Sequence, residues 1–202
     1  MTTFKERVVT DVQQVCRVDY ETKKALASNT LKRIIHRISE FIGEHSSVVL
    51  EDYGKGLFSE EFTKKIIKLS QDSGKFVAVD PSRTTNPIFY KGVNLLKPNR
   101  LESELMVKSL GYYEKDTAKI SEILLDKLAL EKIIITLGSE GMAITDSLSG
   151  DGKMKTIPTL AREVFDVSGA GDTAISTIMA ALSSGASLEE AAWLGNCASG
   201  VV

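Results

Sequence analysis

Residues 75–81, Lys75-Phe76-Val77-Ala78-Val79-Asp80-Pro81, form a short apolar run stopped at once by a carboxylate and a proline. A run of that length, bounded by turn residues, reads as a strand buried on both faces. The same device recurs at Ser47 to Leu50 ahead of Asp52, at Val93 to Leu96 ahead of Lys97-Pro98-Asn99, and at Lys132 to Leu137 ahead of Gly138. Helical patterns separate these runs. One is capped by Ser28 or Asn29 and reaches Gly43, with Leu31, Ile34, Ile35, Ile38 and Ile42 on one face. A second is capped by Ser59 and ended by Gly74, a third starts at Asn99, and a fourth runs from about Asp116 to Leu130. Strands alternating with helices predict an α/β fold: a doubly wound, mostly parallel sheet flanked by helices. Ligands in such sheets bind off the carboxyl ends of the strands, so Asp52, Asp80, Asn99 and Gly138 should face one crevice.

Beyond this core, Met142 to Thr145 and Lys153 to Ile157 read as antiparallel additions, and Ser187 with Glu190 as the capping box of a last helix. Phe4 to Thr10 and Gln14 to Tyr20 read as two strands outside the βαβ rhythm, so residues 1–21 are expected to form a small lid or clasp on a single domain spanning 1–202.

The 202 residues carry 25 basic and 27 acidic side chains, a net charge of −2 that gives no reason to expect nucleic acid or an anionic membrane as partner. No apolar run approaches the roughly 20 residues of a membrane helix, and the first residues hold no signal-peptide core. Cys16 and Cys197 stand in unrelated contexts, which favours a reducing cytoplasm over a disulfide framework. His36 and His45 have no second metal ligand at useful spacing, and Trp193 reads as core.

The chemistry concentrates at Asp166-Val167-Ser168-Gly169-Ala170-Gly171-Asp172, which opens an apolar helix from Thr173. A Gly-Ala-Gly turn at a helix start leaves backbone N–H groups unpaired and adds the positive end of the helix dipole. Asp172 in the first turn is stabilised as a carboxylate. An anion hole beside an ionised carboxylate is the equipment for phosphoryl transfer to a hydroxyl, with Asp172 as base. Asn99 and Glu102, three apart at a helix start, could hold Mg²⁺ through water, and helix capping accounts for the same pair. Thr136 to Gly141 is either a nucleotide contact or a simple hairpin turn, and Asp52-Tyr53-Gly54-Lys55-Gly56 either a substrate loop or a solvated one. A Walker A pattern, the protein-kinase set, the Gly-x-Ser-x-Gly elbow and the Gly-x-Gly-x-x-Gly turn are all missing, which removes the P-loop, hydrolase and dinucleotide readings.

Taken together, Asp166 to Asp172, Asn99-Arg100-Leu101-Glu102 and Thr136 to Gly141 resemble the ribokinase/phosphofructokinase-B carbohydrate kinases. Arg17 to Glu21, Asp52 to Gly56, Lys97-Pro98-Asn99 and Asn196 to Val202 are similar to the branch that acts on a heptose phosphate in lipopolysaccharide core synthesis. The resemblance implies a ribokinase-like fold and ATP-dependent phosphorylation of D-glycero-β-D-manno-heptose 7-phosphate at its anomeric hydroxyl. It implies Asp172 as base, Gly169, Ala170 and Gly171 as anion hole, and Asn99 and Glu102 organising Mg²⁺ and ATP. It places Thr136, Gly138, Gly141 and Asn196 at the nucleotide and Asp52 and Lys55 at the sugar. Asp166 and Ser168 match positions that in some relatives help hold a monovalent cation, and the N-terminal strands match a lid or a clasp that forms a homodimer. Another sugar or nucleoside kinase, and a non-catalytic nucleotide-binding protein, are the competing readings. Family members run to about 300 residues, so this chain is expected to lack an opening third and a final segment, with little activity in isolation.

Overall fold

The computed structural model describes residues 4–10, 13–148, 152–159 and 169–200. Two strands, β1 (Phe4–Val9) and β2 (Gln14–Tyr20), form an antiparallel hairpin of their own. Helix α1 (Ser28–Phe41) leads to β3 (Ser47–Glu51), α2 (Glu60–Asp72), β4 (Phe76–Asp80) and the two-residue β5 (Leu95–Leu96). Then come α3 (Arg100–Ser109), α4 (Thr117–Leu128), β6 (Lys132–Thr136), β7 (Met142–Asp146), β8 (Lys155–Ile157), α5 (Ala170–Ser183) and α6 (Leu188–Ser199). The main sheet has six strands in the order β3-β4-β5-β6-β7-β8, parallel from β3 to β6 and antiparallel beyond.

Strand periodicity sorts the side chains into two layers. Val77, Val79, Leu96, Ile133 and Ile135 point to the face covered by α2, α3 and α4, where Phe62, Ile66, Met106, Val107 and Leu124 are buried. Ala78, Leu95 and Ile134 point to the opposite face, against Ala174, Ile175 and Ile178 of α5 and Leu188, Ala191 and Ala192 of α6. Gly195 lets α6 approach α5 closely, since a Cβ there would fall 2.6 Å from the Ile178 side chain.

Two of the boundaries that differ from expectation have a local cause. Helix α1 starts at Ser28 itself, with Ala27 as N-cap and no capping side chain, so Ser28 and Asn29 lie inside the helix. The third strand is shorter than Val93–Leu96 because Asn94 turns its side chain to the neighbouring backbone. Its Oδ1 accepts the Val77 N–H at 2.8 Å, and its Nδ2 donates to Glu131 at 2.7 Å.

Candidate active site

A cleft of about 1030 Å³ opens at the carboxyl ends of β3 to β6. Its floor starts with Asp52, whose backbone N–H donates to the Asp80 carbonyl at 2.9 Å and so continues the pairing of β3 with β4. The Asp52 carboxylate is buried and saturated: Oδ1 accepts the Gly54 N–H at 2.7 Å, and Oδ2 accepts Thr85 at 2.5 Å and Tyr90 at 2.6 Å. Burial and that bond to Asp52 hold the Tyr90 hydroxyl protonated, well above its ordinary range. Asp52 therefore works as a clamp on the loop. Lys55 pairs with Glu21, just past β2, and brings the hairpin down to the cleft rim.

Next along the sheet, Asp80 Oδ2 and Lys97 Nζ pair at 2.8 Å with the lysine side chain only 4% exposed. Burial pushes the Asp80 carboxyl up to about 6 against the opposing pull of the Lys97 charge. Gly171, in the first turn of α5, lies over this pair: a Cβ on it would sit 3.8 Å from both Asp80 Oδ2 and Lys97 Nζ. Gly169 is the N-cap of α5 at φ +86°, a conformation glycine adopts without strain, and Ala170 is the first helical residue. The sheet thus delivers Asp80 and Lys97 from below while the helix delivers Asp172 from above.

Asp172 meets the loop rather than the pair. The Tyr53 hydroxyl donates to Asp172 Oδ2 at 2.8 Å and lies 3.3 Å from Glu51 Oε2. Glu51, Asp80 and Asp172 bring carboxylate oxygens within 4.8 Å of one another. Burial, then the Asp172 charge, raises the Glu51 carboxyl above the usual range, and Glu51 Oε1 is buried without a hydrogen-bond partner. Three converging carboxylates with an orphaned oxygen are a hard, all-oxygen donor set of the kind Mg²⁺ prefers.

Asn99 and Glu102 realise the capping box in full: Asn99 N–H donates to Glu102 Oε2 and Glu102 N–H to Asn99 Oδ1, both at 2.9 Å. Glu102 Oε1 is left facing Arg83 across 3.7 Å. Arg100 reaches Glu140 at 2.7 Å and ties the start of α3 to the turn that follows β6. In that turn Gly138 stands at φ +63° with open space where a side chain would be, on the cleft wall beside Thr136.

Asp172, Gly171, Asn99, Glu102, Thr136, Gly138, Asp52 and Lys55 therefore share one cleft. Gly141 and Asn196 are not among the residues lining that cleft and have close contacts of their own. A Cβ on Gly141 would lie 2.0 Å from the Ile157 carbonyl, where the exit of β8 passes. The buried Asn196 donates to the Pro158 carbonyl at 2.8 Å and braces the same segment. Asp166 and Ser168 lie outside the described residues. Sequence reasoning gave no role to Glu51, Tyr53 or Lys97, although a lysine closing an apolar strand ahead of proline was a visible signal for the last.

Comparison with known proteins follows the same lines. The chain is similar over its whole length to the bifunctional protein HldE of Nitratiruptor sp., at 39% identity, and to that of Paramagnetospirillum magneticum, at 36%. It spans 41% and 40% of those two proteins. Among solved structures, phosphofructokinase-2 from Escherichia coli in its tetrameric inhibited form superposes with a TM-score of 0.72 at 21% identity, over 88% of this chain and 57% of that one. Ribokinase from Thermotoga maritima superposes with a TM-score of 0.67 at 22% identity, over 81% and 52%. Both share the ribokinase-like fold. With the pfkB family carbohydrate kinase profile matching residues 12–202, the chain belongs to that family.

Proposed function

We propose that this chain is the kinase part of an enzyme that transfers the γ-phosphoryl group of ATP to the anomeric hydroxyl of D-glycero-β-D-manno-heptose 7-phosphate. The product is the 1,7-bisphosphate on the way to ADP-heptose and lipopolysaccharide core, and the compartment is the cytoplasm. The observation that carries the reading is Asp172, held in the first turn of α5 beside Glu51 and Asp80, in a cleft at the carboxyl ends of the parallel strands. Five basic and five acidic side chains line that cleft, so it takes a charged nucleotide and sugar phosphate by local pairing, not by a uniform field.

Asp172 accepts the proton of the attacking hydroxyl, and the backbone N–H groups of Gly169, Ala170 and Gly171 hold the charge that grows on the transferring group. Asn99, Thr136 and Gly138 border the nucleotide phosphates, while Asp52 and Lys55 shape the sugar end, the former through its clamp on the loop. Mg²⁺ would be held by Asn99 and Glu102 through water, with Glu51 and Asp80 as further oxygen donors, and it supplies charge neutralisation on the phosphates. Asp166 and Ser168 are the proposed monovalent-cation positions; a phosphofructokinase-2 structure contains potassium. The β1–β2 hairpin, tied to Lys55 through Glu21, is the proposed lid and the contact surface of a homodimer.

ATP turnover by the full-length enzyme of which this chain is the proposed kinase part, on heptose 7-phosphate, ribose, fructose 6-phosphate and adenosine, tests the reading. Turnover confined to the heptose supports it, turnover on another member keeps Asp172 and replaces the sugar, and silence on all four points to a nucleotide-binding module. Asp172→Asn should lower turnover by about a hundred- to ten-thousandfold while ATP affinity stays unchanged; full activity would remove Asp172 from the mechanism.

A further inference from the structure

We propose that Tyr53 is a positioning residue that occupies the Asp172 carboxylate until the acceptor hydroxyl displaces it, and that it thereby keeps water off the base. The inference rests on the reading of Asp172 as base. A phenolic O–H donating to Asp172 Oδ2 at 2.8 Å makes the same bond that a sugar hydroxyl must make before it attacks. A phenol is a far weaker acid than a carboxyl group, so Tyr53 serves as the donor of this pair and does not compete as a base.

The loop geometry allows the exchange. Tyr53 is 61% exposed, and its described hydrogen-bond partners are Asp172 and the more distant Glu51. Its backbone neighbour Asp52 is fixed by Gly54, Thr85 and Tyr90, and Gly54 and Gly56 take the positive φ values of +65° and +90° that set the loop path. The side chain can thus swing out by rotamer change while the loop backbone stays in place.

The consequence is chemical. With the sugar absent and ATP bound, a water resting on Asp172 could attack the γ-phosphorus. The water oxygen would bond to phosphorus, the bond to the β-phosphate oxygen would break, the water proton would pass to Asp172, and ADP and phosphate would leave. Tyr53 fills that position with a hydroxyl whose oxygen is carried on a ring and is not placed to attack. A sugar hydroxyl must then displace one hydrogen bond to a charged group, which at an exposed site corresponds to about a three- to tenfold cost in affinity.

The test is calorimetric titration with D-glycero-β-D-manno-heptose 7-phosphate, together with phosphate release from ATP without sugar, on the full-length enzyme of which this chain is the proposed kinase part and on its Tyr53→Phe variant. Expected are about three- to tenfold tighter sugar binding by Tyr53→Phe and faster sugar-free ATP hydrolysis. Adding Tyr53→Phe to Asp172→Ala should bring no further tightening. Unchanged or weaker sugar binding by Tyr53→Phe overturns the proposal and leaves the kinase reading intact. A full-length enzyme without the substitution that binds neither this sugar nor the others of the panel overturns the kinase reading, and the role of Tyr53 with it.

Discussion

The main sheet and the β1–β2 hairpin both draw on valine, but the hairpin interleaves it with charged residues, and the two end in opposite environments. Val77, Ala78, Val79, Leu95, Leu96 and Ile133 to Ile135 are fully buried, whereas Val8, Val9, Val15 and Val18 of the hairpin are between 42% and 63% exposed, with Phe4 and Tyr20 beside them. Valine favours the extended state in both places, because β-branching fits a pleated surface whatever covers it. Burial is a different property, set by whether helices return to the faces. Helices α2 to α6 do so for the sheet, while no element packs broadly on the hairpin among the described residues. The open face of Phe4, Val8, Cys16, Val18 and Tyr20 is of the kind that marks contact surfaces, which supports the proposal of a lid and a dimer contact.

Substitutions can break this contrast. Ile134→Ala, at the centre of the sheet and fully buried, should cost about 4 kcal/mol in chemical denaturation, from lost transfer energy and the cavity left behind. Lys97→Met should cost about 3 kcal/mol, since it strands the Asp80 carboxylate, and the double variant Asp80→Asn/Lys97→Met should recover most of that loss. The same pair carries a pH signature. The Asp80 carboxyl is raised from 3.8 to about 6, so the stability it contributes is present below pH 3.8 and fades as pH rises through 6. The double variant should lack that slope when denaturation midpoints are compared across the interval. Val15→Ala in the hairpin should shift the midpoint by less than about 0.5 kcal/mol. A larger loss that depends on protein concentration would sharpen the contrast, turning the hairpin from an open ribbon into a subunit contact.

Legibility in the sequence followed the range of the interaction. The Ser187–Glu190 and Asn99–Glu102 capping boxes, the Ser59 and Asp116 caps and the run of strands were all readable, because each is decided within a few residues. The cleft was readable as a list of strand ends. Tyr53 on Asp172 joins residues 119 apart, and Glu51 became part of the site only because β3 and α5 were brought together. Gly141 and Asn196 likewise gained neighbours, Ile157 and Pro158, at a strand exit that no spacing rule connects to them. Ser28 and Asn29 had the right chemistry for a cap, and the helix simply began one residue earlier.

The Asp52 clamp has a bearing on how such a cleft could be re-engineered. One carboxylate gathers the backbone of residue 54 and the hydroxyls of residues 85 and 90, which arrive from beyond β4. The unit of transplantation is thus a set of contacts, not a contiguous stretch. Moving the loop at 51–56 onto another sheet without Thr85 and Tyr90 would import an acid left with only the Gly54 N–H to hold, whereas the three pieces moved together form a portable joint.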